Sequence, residues 1–273
     1  MSATNSGITP DPGFLYSNNL LIYSRSTMRD GDGNIIARGS NSVLLDMNSL
    51  IWVSKKRILG GARFSMSATL PIARNSLNND ATGPISGGSG LGDQYYQPFI
   101  LGWNKDRFAI RAIYGFLAPT GSYRAGANNN VGNGYWTHVV ASGQTFYPAK
   151  NKRTNISVFE MYEWHLKQAG TNIDPGENID LDYSVMHTLP LKGERSIQFG
   201  MIGYNQFQTT AKKGPTITPQ QEHDRYKVYA LGVGSHFIFP KQGLNFGFKY
   251  FKEFANRSTF QGYALQISGS YKF

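Results

Sequence analysis

Gly61-Ala62-Arg63-Phe64-Ser65-Met66-Ser67-Ala68-Thr69-Leu70 is the stretch that decides the fold. Ala62, Phe64, Met66, Ala68 and Leu70 fall on one side; Arg63, Ser65, Ser67 and Thr69 fall on the other. A side-chain period of two belongs to a β-strand and does not fit a helix of period 3.6. The pattern recurs. Phe108, Ile110, Ala112, Tyr114 and Phe116 share a face, with Arg111 opposite. Leu244, Phe246, Phe248 and Tyr250 share another, with Asn245, Lys249 and Glu253 opposite.

Extended outward, this reading places strands near 14–26, 43–53, 62–71, 94–104, 108–117, 135–147, 154–167, 180–189, 196–209, 225–239, 244–254 and 261–273. Most are about 10 residues or longer, enough to cross a bilayer at a tilt. The connections alternate in length. The short ones are 54–61, 105–107, 148–153, 190–195 and 240–243; the long ones are 27–42, 73–93, 118–134, 168–179 and 210–224. Segment 255–260 belongs to the second set but is shorter. A soluble sandwich has no reason to sort its loops this way. A transmembrane antiparallel β-barrel of about twelve strands does, with short periplasmic turns and long extracellular loops. The expected organisation is residues 1–13 as an N-terminal segment and 14–273 as the barrel.

Composition agrees. The 273 residues include 17 Phe, 16 Tyr and 31 Gly, no Cys, and only 16% charged side chains. Outer-membrane barrels are rich in aromatics because girdles sit at both lipid interfaces. Mean hydropathy is −0.37, since only alternate strand residues need face lipid. No run of 18 apolar residues marks a membrane helix. Residues 1–6 lack the basic start and apolar core of a secretion signal, so the sequence is read as a mature form with a start Met. The absence of Cys excludes thiol catalysis, disulfides and thiolate metal sites. The net charge of +10 comes from scattered cations. The local run Lys55-Lys56-Arg57 falls in a turn, so nucleic acid is not an expected partner. The remaining readings are a solvated basic surface, contact with lipopolysaccharide phosphates, or a lumen attractive to anions.

The last strand carries a further signal. Tyr263, Leu265, Ile267, Gly269, Tyr271 and Phe273 lie on one face, ending at the terminal Phe. Such an ending resembles the signal read by the outer-membrane assembly machinery, an expected partner alongside outer-membrane lipid and lipopolysaccharide.

Several motifs resemble one family. Gly90-Leu91-Gly92-Asp93, then Pro98 and Leu101-Gly102-Trp103, look like the core of the MetA-pathway phenol-degradation family of outer-membrane channels. So do Ala118-Pro119-Thr120-Gly121-Ser122-Tyr123, then Asn133, Tyr135 and Trp136. Gly200, Gly203-Tyr204, Leu231-Gly232-Val233-Gly234 and the segment from Lys249 to Asn256 follow in the same order. The resemblance spans roughly residues 43 to 273 and implies outer-membrane barrels often encoded beside catabolic genes. It implies passive uptake of small hydrophobic or aromatic solutes, with no cofactor and no catalytic residues. Its carried-over positions here are Gly90, Gly92, Asp93, Pro119 and Gly121.

Four sets of candidate residues follow. Ile8, Pro10, Pro12 and Phe14 form a stiff, partly apolar stretch that either folds into the lumen as a plug or trails as a periplasmic tail. Pro71, Pro98 and Pro119 lie toward the extracellular half of adjacent strands. Each removes a ladder donor, marking either bulges and strand ends or a lateral opening in the wall. Asp46, Arg63, Arg111, Lys249 and Glu253 face the lumen in this register, as an ion-pair network or as setters of ion preference. A slip of one residue reverses each assignment. Arg225 and Lys227 share an outward face with Tyr229. Trp52, Trp103, Trp136 and Trp164 fit an interface girdle, while Tyr135, Tyr147 and Phe251 are candidates to receive an aromatic solute.

Other activities find little support. His138, His165, His187, His223 and His236 lack a nucleophile motif, although His165 lies near Glu163. Gly87-Gly88-Ser89-Gly90 lacks the ending of a phosphate loop. Asp30-Gly31-Asp32-Gly33-Asn34 resembles the start of a calcium loop without its later acidic ligand, so no metal is expected. A general porin for small hydrophilic solutes, a non-conducting adhesion or structural barrel and a barrel enzyme are the alternatives to the uptake reading.

Overall fold

The computed structural model describes residues 4–80, 83–85 and 87–273. Twelve long antiparallel strands form its wall: β1 (Gly13–Arg29), β2 (Ile35–Ile58), β3 (Ala62–Asn79), β4 (Gln94–Asn104), β5 (Phe108–Ala118), β6 (Thr137–Phe146), β7 (Thr154–His165), β8 (Asn178–Pro190), β9 (Ser196–Gln208), β10 (Lys227–Phe239), β11 (Leu244–Arg257) and β12 (Phe260–Lys272). Each pairs with its chain neighbours, and β1 pairs with β12 from Leu15↔Lys272 to Met28↔Phe260. The sheet is therefore a closed ring. Closure is what lipid demands, because a backbone N–H or C=O without a partner there costs several kcal/mol.

Two three-residue strands, Gly83–Ile85 and Ser89–Leu91, hang on the extracellular end of β3. A five-residue helix, α1 (Pro219–His223), sits in the β9–β10 loop, capped by Thr218 and Gln221. The wall alternates as the sequence pattern requires. Met66, Leu70 and Ile72 are exposed on the outside of β3, as are Phe108 and Ile110 on β5 and Phe246 and Phe248 on β11. The outward face of β12 carries Tyr263, Ile267 and Tyr271. Aromatic ladders reinforce both rims: Trp52–Phe64–Phe99 at one end, and Phe207–Tyr229–Phe254 at the other.

The first extracellular connection differs from the long loop 27–42. β1 and β2 continue as a paired ribbon to a tight turn, with Arg29 opposite Ile35. Beyond the bilayer a ribbon needs no apolar face, so alternation stops reporting it. The Asp30 carboxylate accepts the N–H groups of Asp32 at 3.0 Å and Asn34 at 2.8 Å. It fastens the turn as an Asx-type cap.

Much of the lumen is filled. Tyr23, Met186, Ile202, Tyr204, Val228, Ala230, Phe251 and Ala264 pack together inside the wall formed by β8–β12 and β1. Glu253 belongs to this packed interior. Its carboxylate accepts Tyr204 Oη at 2.9 Å, Gly262 N at 2.8 Å and Asn256 Nδ2 at 3.2 Å. Asn256 in turn donates to the Phe260 carbonyl at 2.7 Å. This cluster staples the β11–β12 hairpin to β9. Glu253→Ala strands three donors and is expected to cost about 3 kcal/mol. Urea titration of the folded band on a cold gel measures it; an unchanged midpoint contradicts the staple.

Candidate functional site

A cavity of about 530 Å³ lies in the lumen against the inner faces of β1–β5 and β7. Its walls are largely apolar: Leu45, Met47, Ile51, Pro71, Ile113, Leu117, Phe159 and Met161. Tyr95, Gln97, Asp93, Glu163 and Arg111 add polar groups. Ile100, Ile113, Val139, Ala141 and Phe159 form the packed apolar cluster on this side. The size and character suit a small, mostly apolar molecule.

The N-terminal segment lies below the cavity. Thr4 meets His236 Nε2 at 3.1 Å, and Asn5 donates to Gln198 at 2.9 Å and accepts from Asn155 at 3.0 Å. Ser6 Oγ donates to the Val158 carbonyl at 2.7 Å, and Gly7 N donates to Thr145 at 3.0 Å. Thr9 exchanges two bonds with Asn104, at 3.1 and 2.8 Å. These partners belong to β10, β9, β7, β6 and β4, so the segment crosses the inner face of much of the wall. Arg111 lines the cavity and donates to the Ser6 carbonyl at 2.6 Å, tying cavity to segment.

Glycines make the approach possible. A Cβ on Gly143 would sit 2.2 Å from the Ser6 carbonyl oxygen, and one on Gly102 would sit 1.6 Å from Thr9 Oγ1. Both glycines face inward on strands, where a missing side chain admits a close backbone. Ile8, Pro10 and Pro12 lie along this run, partly buried. Phe14 does not. It begins the wall, pairs with Trp52 and is half exposed on the outer face, because β1 starts at Gly13 and its parity directs Phe14 to lipid. Residues 1–3 lie outside the described residues.

The charged candidates separate. Arg63 and Arg111 face inward; Arg63 lies 3.9 Å from Asp11 of the segment. Lys249 and Glu253 also point inward but are 7% and 1% exposed, enclosed by packing and absent from the cavity wall. Asp46 faces out. Leu45, Met47, Ser49 and Ile51 line the cavity, so Asp46 and Asn48 lie on the lipid side. The run Leu44-Leu45-Asp46-Met47-Asn48-Ser49-Leu50-Ile51 mixes polar and apolar residues on both faces, which is why parity was unreadable there. Tyr16 Oη and Asn18 Nδ2 donate to Asn48 Oδ1 at 2.6 and 3.1 Å, and Asn18 also donates to Asp46 at 2.5 Å. No sequence signal pointed to this outer network.

The prolines mark a seam. Pro98 sits at bulges with both neighbours: the register skips between Ser65 and Ser67, and between Tyr96 and Phe99. The β3–β4 ladder ends at Thr69↔Tyr95 and resumes on the short strand at Ile72↔Leu91. Between them the Pro71 carbonyl accepts Gly92 N at 2.9 Å. Inside this break lies the cavity. Outside lies a groove of about 250 Å³ lined by Asn48, Leu70, Gln94 and Tyr96, and Ser49 and Thr69 line both spaces. Pro119 lies just past β5, where Asp93 anchors the following loop by accepting Gly121 N at 3.0 Å and Asn133 N at 2.7 Å. Gly90, with φ of +145°, and Gly92, where a Cβ would sit 3.3 Å from the Pro71 ring, complete a compact arrangement above the seam.

The remaining candidates are structural in placement. His165 is held by Thr137 at 2.8 Å and Asn178 at 2.9 Å. Phe251 packs on Tyr204 with ring centres 5.1 Å apart. Trp164 stacks on His138 outside the wall, and Trp103 donates to the Leu59 carbonyl.

A closed ring of twelve membrane-length strands with lipid-facing apolar bands and aromatic rims defines an outer-membrane β-barrel of the channel type. The chain belongs to the family described as the MetA-pathway of phenol degradation, whose model matches residues 25–268. An outer membrane channel from Pseudomonas putida F1 superposes with a TM-score of 0.79 at 12% identity, covering all of both chains. The β-domain of a Bordetella autotransporter superposes at 0.55 and 11% identity, over 96% of this chain and 100% of that one. At such identities these structures speak for the fold. No curated protein sequence matches.

Gly143→Ala tests the segment's seat without touching the outer wall. The added methyl is expected to expel residues 4–9 and open them to protease, while the barrel keeps its unfolding midpoint. Unchanged protection would contradict the packing described.

Proposed function

We propose that the chain admits small hydrophobic or aromatic molecules passively across the outer membrane. In this reading a solute enters the apolar cavity from the extracellular side. Residues 4–10 act as a plug that denies it a straight path to the periplasm, and it leaves sideways through the seam near Pro71 and Pro98. The single observation that carries the reading is the cavity's position. It is bounded by Arg111, which holds the Ser6 carbonyl of the segment, and it shares Ser49 and Thr69 with the outer groove. Apolar solutes gain from such an exit, because the hydrocarbon beside it solvates them better than water does. No chemical step is assigned in this reading. Lipopolysaccharide is the lipid partner of the outer leaflet in this reading, with Arg225 and Lys227 at the extracellular rim, and the last strand serves assembly.

Two measurements test it. Liposomes carrying the intact protein are expected to swell slowly in graded sugars, and those carrying a form without residues 2–12 much faster. Rapid size-graded swelling by the intact protein would establish an open hydrophilic porin instead. A disulfide between Thr69→Cys and Tyr95→Cys, which are register partners, is expected to abolish naphthalene uptake by whole cells until reduced. Undiminished uptake by the cross-linked form contradicts the lateral exit.

A further inference from the structure

The lipid-facing network of Tyr16, Asn18, Asp46 and Asn48 has no evident place in a wall built to meet hydrocarbon. Asp46 pairs with Leu20 on one side and Ile72 on the other, six residues along β2 from Trp52 of the periplasmic aromatic ladder. A carboxylate in that position is costly unless a polar pathway or partner meets it. Within the network Asp46 receives one donor, Asn18, whereas an ionised carboxylate offers about four acceptor sites. Acceptor capacity therefore points outward.

Its location is the second observation. Asn48 and Tyr16 line the outer groove at the seam, together with Gln94 and Tyr96. The network thus begins at the mouth of the break and runs along the lipid face to Asp46.

We propose that this network receives the polar end of an amphipathic solute as it leaves the wall: an aromatic body bearing one hydroxyl donor. The inference rests on the lateral-exit reading and adds a preference to it. The ring passes from cavity to lipid without losing an apolar environment. The hydroxyl has no such continuity, and in the hydrocarbon core it would lose its hydrogen bonds. Asn48 Oδ1 is already filled by Tyr16 and Asn18, so the open acceptor is the Asp46 carboxylate, placed where that loss is greatest. A hydrocarbon solute has no use for it.

Another lipid-facing carboxylate supplies the control. Glu160 on β7 is exposed beside Gln144, which donates to it at 3.2 Å, and neither lines the seam groove. Loss of a carboxylate at Glu160 changes the lipid face without changing the exit.

The experiment compares uptake of labelled 2-naphthol and naphthalene by cells producing the full chain, Asn18→Leu/Asp46→Leu or Glu160→Leu, with barrel folding verified by gel mobility. The expected result is that the double variant loses about tenfold in 2-naphthol uptake, the equivalent of one hydrogen bond to a charged group, and keeps naphthalene uptake. Glu160→Leu keeps both. Equal loss of both solutes in the double variant, or no loss of either, overturns the inference while leaving the channel reading intact. A change in oligomeric state in the double variant also overturns it, assigning the network to contact between copies. If the unaltered chain raises uptake of neither solute, it is the channel reading that fails.

Discussion

The obligation to pair every backbone N–H and C=O inside lipid governs this structure. A sheet meets it only by closing, and closure requires β1 and β12 to find each other across the length of the chain. The β1–β12 ladder, from Leu15↔Lys272 to Met28↔Phe260, is the contact through which the other eleven strand pairings become a barrel. The alternation of side chains follows from it, since each wall strand must satisfy lipid on one face and the lumen on the other.

That obligation also gives meaning to the places where pairing is interrupted. Pro98 is absorbed by bulges on both sides, so its missing donor does not open the ladder. Around Pro71 the partner strand changes, and one carbonyl–amide bond to Gly92 bridges the change. The apolar cavity, the outer groove and the polar outer network converge on this side of the barrel. The opposite interior is solid, with Tyr204 and Phe251 packed together and Glu253 bound to the β11–β12 hairpin. The change of partner strand along β3 falls on the side that bears the cavity.

The legible parts of the sequence were those under a two-sided constraint. β3, β5 and β11 each meet lipid on one face and a polar or packed lumen on the other, and their parity is plain in Phe64–Leu70, Phe108–Phe116 and Phe246–Tyr250. β2 was not legible at Asp46. Its inner face carries Leu45, Met47 and Ile51 along with Ser49 because it lines the cavity, and its outer face sets Asp46 and Asn48 between Leu44 and Leu50, so neither face reads as the apolar one. The β1–β2 ribbon beyond the membrane escaped for a related reason: water on both faces removes the pattern. Segment 4–10 was readable only as a stiff, partly apolar stretch. Its seat depends on Gly102 and Gly143, whose significance is the absence of a side chain toward a segment more than 90 residues away. The family motif around Gly90–Asp93 and Gly121 was visible as a string. Its role in anchoring a loop beside the seam needed the fold.

The account stands most directly on the claim that the luminal cavity holds an apolar solute on its way to the wall. Anomalous diffraction from crystals of the protein soaked in 4-bromophenol measures that occupancy. The bromine peak is predicted inside the cavity, between Ile113, Phe159 and Met47 and above Arg111. Bromine found only on the outer surface, with the cavity holding ordered water, would contradict it.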